Sequence, residues 1–210
     1  MTRPPKARIR ASFERAASSY DSAAEVQRRI CTHLLDNLPG GLNPSRVLDA
    51  GCGTGYALGL LHQHFPKAQA IALDFSPGML CQISHACTRL AGDLEHLPLA
   101  TASIDLYWSS LVMQWCDPSR TLAEASRVLA ANGQLALATL GPSTFHELRH
   151  AFGTVDDYRH TLPFHEDDEI ARFAHAAGLL AVNVEKHLKI ATYPDLGTLL
   201  RAAKTIVANQ

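Results

Sequence analysis

Closely spaced cysteines are missing. Cys31, Cys52, Cys81, Cys87 and Cys116 make an odd set of five with no CxxC pair. That excludes a disulfide framework and a zinc ribbon, and it fits a reducing, cytoplasmic setting. HExxH is missing too. Of the eleven histidines, His62 and His64 come nearest to a pair, but residues two apart on a helix do not face each other, so no metal is expected. No apolar run reaches membrane-spanning length and no signal peptide is present, so no membrane is expected as a partner. Charge is sparse, at 19% of residues with a net value of −1, which argues against a nucleic-acid binder. Internal repeats and low-complexity tracts are lacking as well. The even balance breaks only at the beginning, where Arg3, Lys6, Arg8, Arg10 and Arg15 stand against Glu14. This reads either as a solvated end or as an edge that meets an acidic partner.

What is present is 47% hydrophobic residues over 210 positions, enough for one domain, residues 1–210, with a substantial core. The chain is organised around Val47-Leu48-Asp49-Ala50-Gly51-Cys52-Gly53-Thr54-Gly55. Arg46 to Ala50 reads as a buried strand. Gly51 to Gly55 then forms a turn in which little side chain separates backbone from ligand. A strand, a glycine turn and a helix N-terminus make a nucleotide-type site. Ile71-Ala72-Leu73-Asp74 is a second short strand ending in an acid, about 20 residues on, where such folds place a carboxylate on ribose hydroxyls. Ala91-Gly92-Asp93-Leu94 repeats the pattern.

Around these strands the chain alternates. Ile9, Phe13, Ala16, Ala17 and Tyr20 fall at helical spacing. Ser22 and Glu25 form a candidate capping box for a second helix, which buries Val26, Ile30, Leu34 and Leu38 and ends at Pro39-Gly40-Gly41. Further helices are expected from Gly55 to about His64, from Ser76-Pro77, and from Asp117-Pro118 through Leu129. Strands are expected at Thr88 to Ala91, Ile104 to Ser109 and, after an Asn132-Gly133 turn, Gln134 to Leu140. Beyond them come a helix from Ser143 to Phe152 with Phe145, Leu148 and Phe152 inward, a helix around Ile170 and Phe173, a strand from Leu180 to Ile190, and a last helix opened by Pro194-Asp195. The fold class is therefore α/β, a doubly wound and mostly parallel sheet of Rossmann type. Right-handed crossovers put Asp49, Asp74, Asp93 and Ser109 along one edge, where such folds bind ligands.

DAGCGTG, the acid at Asp74, GDLEHLPL and DLYWSSLVMQW resemble the motifs of class I S-adenosylmethionine-dependent methyltransferases. More narrowly, FERAASSYD, SSLVMQWCDP and GPSTFHELRHAF resemble segments of the malonyl-acyl-carrier-protein O-methyltransferases of biotin synthesis, from about Ala11 onward. The resemblance implies S-adenosyl-L-methionine as cofactor and an acyl-carrier protein bearing a malonyl thioester as partner. It divides the chain into lid helices (1–40), a cofactor-binding core (46–140) and a substrate side with an incomplete sheet end (141–210). It implies a cofactor site of Tyr20, Asp49, Gly51, Cys52, Gly53, Gly55, Asp74, Phe75, Met79, Asp93, Leu94 and Ser109. Backbone N–H groups of the Gly51–Gly55 turn would face the amino-acid tail, with Asp49 near its amino group. Asp74 would meet the ribose, and Asp93 and Leu94 the adenine.

A malonyl carboxylate is already ionised at neutral pH and needs no base, so positioning and water exclusion would carry the rate. Arg149, Arg159, His160 and Lys204 are the candidates for holding that carboxylate, and Trp115 is either a packing residue or a wall of the acyl pocket. Other methyltransferases, of small acids or quinones, and methyltransferase-like assembly factors of respiratory complex I carry related segments and stay open as alternatives. One departure stands out. Such folds close with an antiparallel strand between the fifth and sixth, and no segment here supplies it. The expectation is a reading frame that continues past Gln210.

Overall fold

The computed structural model describes residues 4–155 and 161–207. It opens with α1 (Lys6–Ala16), a 3₁₀ turn (Tyr20–Ala23) and α2 (Glu25–Asp36). Strands and helices then alternate: β1 (Arg46–Ala50), α3 (Tyr56–His64), β2 (Gln69–Asp74), α4 (Pro77–Cys81), β3 (Thr88–Ala91) and β4 (Ile104–Ser110). A second 3₁₀ turn (Met113–Trp115) leads to α5 (Pro118–Val128) and β5 (Leu129–Ala138). The chain finishes with α6 (His146–Gly153), α7 (Asp167–Ala176) and α8 (Leu196–Val207).

The five strands are all parallel, in the order β3-β2-β1-β4-β5. The order reverses between β1 and β4, so a crevice opens beyond their C-terminal ends, the usual ligand position in an open parallel sheet. Strand periodicity distributes the core. Tyr107 and Trp108 are neighbours on β4 and both are fully buried. Tyr107 packs with Leu48, Leu73 and Trp115 on one face, and Trp108 with Val47, Leu61 and Phe65 on the other. Burying side chains of this size contributes roughly 2–3 kcal/mol each. Across the crevice, Ser109 Oγ donates to the Ala50 carbonyl at 2.8 Å and fixes β4 to β1.

Local chemistry sets the element starts. Ser76 Oγ accepts from Met79 N at the head of α4, and Asp117 Oδ1 accepts from Arg120 N at the head of α5, each with proline next in the chain. Proline there gives up an N–H that the first turn leaves unbonded anyway.

The segment before β1 lies over the strand ends and is fastened to three successive loops. Thr54 Oγ1, after β1, donates to Asp21 at 2.7 Å. Ser76 Oγ and Gly78 N, after β2, donate to Glu14 at 2.5 and 3.0 Å. Asp93 and Glu95, after β3, hold the Lys6 ammonium at 2.5 and 2.8 Å.

Four expectations need correction. β5 starts at Leu129, directly after α5, and Leu129 already pairs with Ile104. Asn132-Gly133 is thus part of an irregularity inside the strand, with Asn132 at φ +65°, and not a turn before it. The start of α2 has no Ser22–Glu25 box; its N-cap is Ala24 with no side-chain bond. In α6 no residue is buried, and Phe145 sits before the helix at φ +59°. Finally, Leu180 to Ile190 is not a strand. It runs past α2 and α7, where Arg29 donates to the Ile190 carbonyl, His187 stacks edge-on against His33, and Lys186 meets Asp167. Leu180 and Leu188 are 88% and 81% exposed. A strand exists only when a neighbour satisfies its backbone, and among the described residues none lies beyond β5.

Candidate active site

The turn after β1 closes tightly on β2. Gly51 N and Cys52 N both donate to the Leu73 carbonyl, at 2.7 and 3.0 Å, and Gly55 N donates to the Cys52 carbonyl at 2.9 Å. Gly53 N donates to Asp74 Oδ2 at 3.0 Å. These N–H groups are therefore spent inside the protein instead of pointing at an anion. The turn offers its bare glycine surface. A Cβ on Gly51 would stand 2.3 Å from a Val112 methyl carbon, while a Cβ on Gly53 would meet nothing within 4 Å. Both glycines have positive φ, +78° and +53°. Gly51 thus lets the loop after β4 pack close, and Gly53 leaves space.

That space is a cleft of about 790 Å³ including its open mouth. Gly51, Gly53, Asp74, Phe75, Met79, Asp93 and Leu94 line it from the ends of the first three strands. Ser110, Leu111, Val112, Gln114 and Trp115 line it from the loop after β4, and Lys6, Ile9, Phe13, Tyr20 and Gln27 from the segment above. Four aromatic rings meet there. Phe13 is edge-on to Trp115 at 5.7 Å, with Phe75 and Tyr20 at 6.5 and 6.4 Å. Leu111 turns with φ +59°, its N–H held by the Ala138 carbonyl and its own carbonyl by Gln114 Nε2 at 2.8 Å. Gln114 Oε1 is left buried without a partner among the described residues.

The acids differ in state because their surroundings differ. Asp74 is 8% exposed and accepts from Gly53 N and Ser76 N. Burial raises its pKa despite those bonds. Each carboxylate oxygen keeps a second lone pair for a hydroxyl. Asp93 accepts from Glu95 N and Lys6. Burial pushes it up, but the Lys6 hydrogen bond and charge outweigh this and hold it below the usual carboxylate range. Burial, then the charge of Asp74, pushes the Tyr20 phenol up to about 12, so it stays a hydrogen-bond donor at neutral pH.

Asp49 lies at the end of β1, 2% exposed, with Oδ2 unpartnered among the described residues. Burial, followed by Asp74, raises its pKa to about 8. Its unfolded value is about 3.9, so the folded chain binds the extra proton. Stability is then full below that unfolded value and is lost as pH rises toward about 8. Asp49→Asn should flatten this dependence, so the ligand-free variant should melt higher than the parent at pH 8 and nearly with it at pH 4. Parallel melting curves for the two proteins would count against a buried neutral Asp49.

Of the site residues expected from sequence, the cleft collects Tyr20, Gly51, Gly53, Asp74, Phe75, Met79, Asp93 and Leu94. Asp49, Cys52, Gly55 and Ser109 do not line it. Cys52 packs with Leu58, Ala72, Leu80 and Ile83, and Gly55 caps α3 at φ +89°. Ser109 turns to β1, and its neighbour Ser110 faces the cleft. Arg149 spends its guanidinium on the Pro142 and Thr144 carbonyls, which ties down the loop before α6. Arg159 and His160 lie outside the described residues. Lys204 falls within α8, with its side chain outside them. Lys6, Ile9, Phe13, Gln27, Val112 and Gln114 were not anticipated; the basic beginning was the one signal that pointed to Lys6.

A cleft at the switch point of a parallel sheet, a glycine at its floor with open space above, and acids at the ends of β2 and β3 suit a nucleoside bearing an amino-acid tail. The protein has the fold of a class I S-adenosylmethionine-dependent methyltransferase, and residues 48–137 match a family described as a methyltransferase domain. Malonyl-[acyl-carrier protein] O-methyltransferase of Dechloromonas aromatica (strain RCB) is 60% identical over 209 residues, 100% of this chain and 79% of that protein. The biotin biosynthesis bifunctional protein BioHC of Cellvibrio japonicus (strain Ueda107) is 40% identical over 83% of this chain and 35% of its own length. A methyltransferase solved with the Haloferax volcanii Trm112 activator shares the fold, with a TM-score of 0.66, 21% identity, and coverage of 92% of this chain and 93% of that one. The chain belongs to the malonyl-[acyl-carrier protein] O-methyltransferase family.

Proposed function

We propose that the protein transfers the methyl group of S-adenosylmethionine to the free carboxylate of a malonyl group carried by an acyl-carrier protein, forming its methyl ester for biotin synthesis in the cytoplasm. The observation that carries this reading is the 60% identity along the whole chain to an enzyme of that name, joined to a cleft at the strand ends with open space above Gly53. When bound, the cofactor supplies an electrophilic methyl group on a sulfonium. Asp74 accepts the ribose hydroxyls. Phe75, Met79 and Leu94 enclose the adenine with Asp93 as acceptor, while Gly51, Gly53 and Tyr20 bound the tail. Ile9, Phe13 and Trp115 keep water from the reacting end, which strengthens every charge interaction inside. No histidine lines the cleft among the described residues. This suits an acceptor that arrives ionised and has no proton to lose.

The test is transfer of a labelled methyl group to malonyl-carrier protein, run beside free malonate and succinyl-carrier protein. Label on the malonyl-carrier protein well above the other two is the expected result. Equal labelling of free malonate would move the reading to a small-acid methyltransferase. Cofactor binding without any transfer would favour an assembly role.

A further inference from the structure

The proposed reaction requires a group that holds the malonyl carboxylate in line with the methyl carbon. Resting on that reading, we propose that the indole N–H of Trp115 does this, as a neutral donor standing where a cation was expected.

The cleft supplies no free cation among the described residues. Lys6 is its only lining cation, and Asp93 and Glu95 already hold it. Arg149 is spent on two backbone carbonyls. Neutral side-chain donors line the cleft as well: Ser110, Tyr20, Gln27, Gln114 and Trp115. Gln114 Nε2 donates to the Leu111 carbonyl, and its Oε1 is buried beside it. Tyr20 accepts from Gln27 and feels the charge of Asp74, which sets both on the cofactor side of the cleft. The Trp115 indole N–H has no acceptor among the described residues, yet it is not one of the sealed, unpartnered atoms.

The indole is also held in place. Trp115 is 7% exposed, edge-on to Phe13, and its backbone N–H donates to the Val112 carbonyl at 2.9 Å. Val112 in turn abuts Gly51, so the ring is registered to the floor of the cofactor cleft. A ring fixed in this way loses little freedom when it binds.

A neutral donor suits the chemistry. One carboxylate oxygen accepts the N–H, and the other forms the new bond to the methyl carbon. The electron pair of the breaking carbon–sulfur bond stays on sulfur. A carboxylate and a sulfonium become a neutral ester and a neutral thioether, and no proton moves. A salt bridge would instead hold the carboxylate's charge in the ground state and have to be weakened in the transition state. Here the sulfonium itself is the charge partner.

Trp115→Phe keeps an aromatic ring and removes the N–H; Trp115→His keeps a ring N–H. Trp115→Phe should lower kcat/KM toward malonyl-carrier protein roughly 10- to 100-fold, the range for a lost hydrogen bond to a charge. Affinity for S-adenosylhomocysteine and melting temperature should hold, and Trp115→His should recover part of the rate. A second readout does not depend on the variants folding. The protein has two tryptophans. In the S-adenosylhomocysteine-loaded protein, the Trp115 indole proton resonance should move downfield with malonyl-carrier protein and stay in place with its methyl ester. Parental kcat/KM in Trp115→Phe, or an indole resonance indifferent to the malonyl group, would overturn the proposal alone. A parent protein that transfers no methyl group to malonyl-carrier protein would overturn it together with the functional reading.

Discussion

Gly53→Val is expected to abolish cofactor binding while leaving the sheet folded. The added side chain meets no protein atom within 4 Å of its Cβ and projects into the space the cofactor needs. Its cost to folding is the left-handed backbone at φ +53°, about 1–2 kcal/mol for a residue with a Cβ. Binding should fall at least ~100-fold, about 2.7 kcal/mol. Gly51→Ala is the informative contrast, because its methyl group is driven into Val112 at 2.3 Å and the damage goes to the packing of the β4 loop. Calorimetry with S-adenosylhomocysteine, paired with a melting curve, separates the two. A Gly53→Val protein that melts normally and binds normally would remove the glycine turn from the site.

Asp74→Ala should be nearly as damaging, by a different route. The carboxylate holds Gly53 N and Ser76 N, so it braces the turn after β1 and the head of α4 at once. Its loss leaves two inward N–H groups short of a partner and removes the acceptor for the ribose hydroxyls. At about 1–3 kcal/mol for each group left unsatisfied, affinity for S-adenosylhomocysteine should drop by a few kcal/mol, and the ligand-free protein should also melt lower. Asp74→Asn, which keeps an acceptor oxygen, should fall between. Unchanged affinity in Asp74→Ala would exclude the ribose role.

These residues were legible in sequence for a physical reason. A buried parallel strand is a short apolar run, and the residue after it must leave the sheet at the ligand edge. Asp74 and Asp93 therefore announce their position without any neighbour being known. Ser109 shows the limit: side chains alternate, so one residue decides which way a serine turns, and it is Ser110 that faces the cleft. Ile9, Phe13 and Gln27 were illegible as site residues, since their role comes from the first helices folding back over strand ends far along the chain. Val112 and Gln114 depend on a left-handed Leu111, a conformation leucine does not advertise. Leu180 to Ile190 failed for the opposite reason. Its composition favours a strand, but strand formation belongs to the pair and not to the segment.

The three attachments of the N-terminal segment differ in kind, and that difference sets how each responds to dissolved salt. At Lys6 the bond is between full charges; at Glu14 a carboxylate takes neutral donors; at Asp21 a single hydroxyl is shared. Dissolved salt screens the first far more than the other two. Raising the salt concentration therefore loosens the hold on the β3 loop and Asp93 while leaving the glycine turn and the head of α4 fastened.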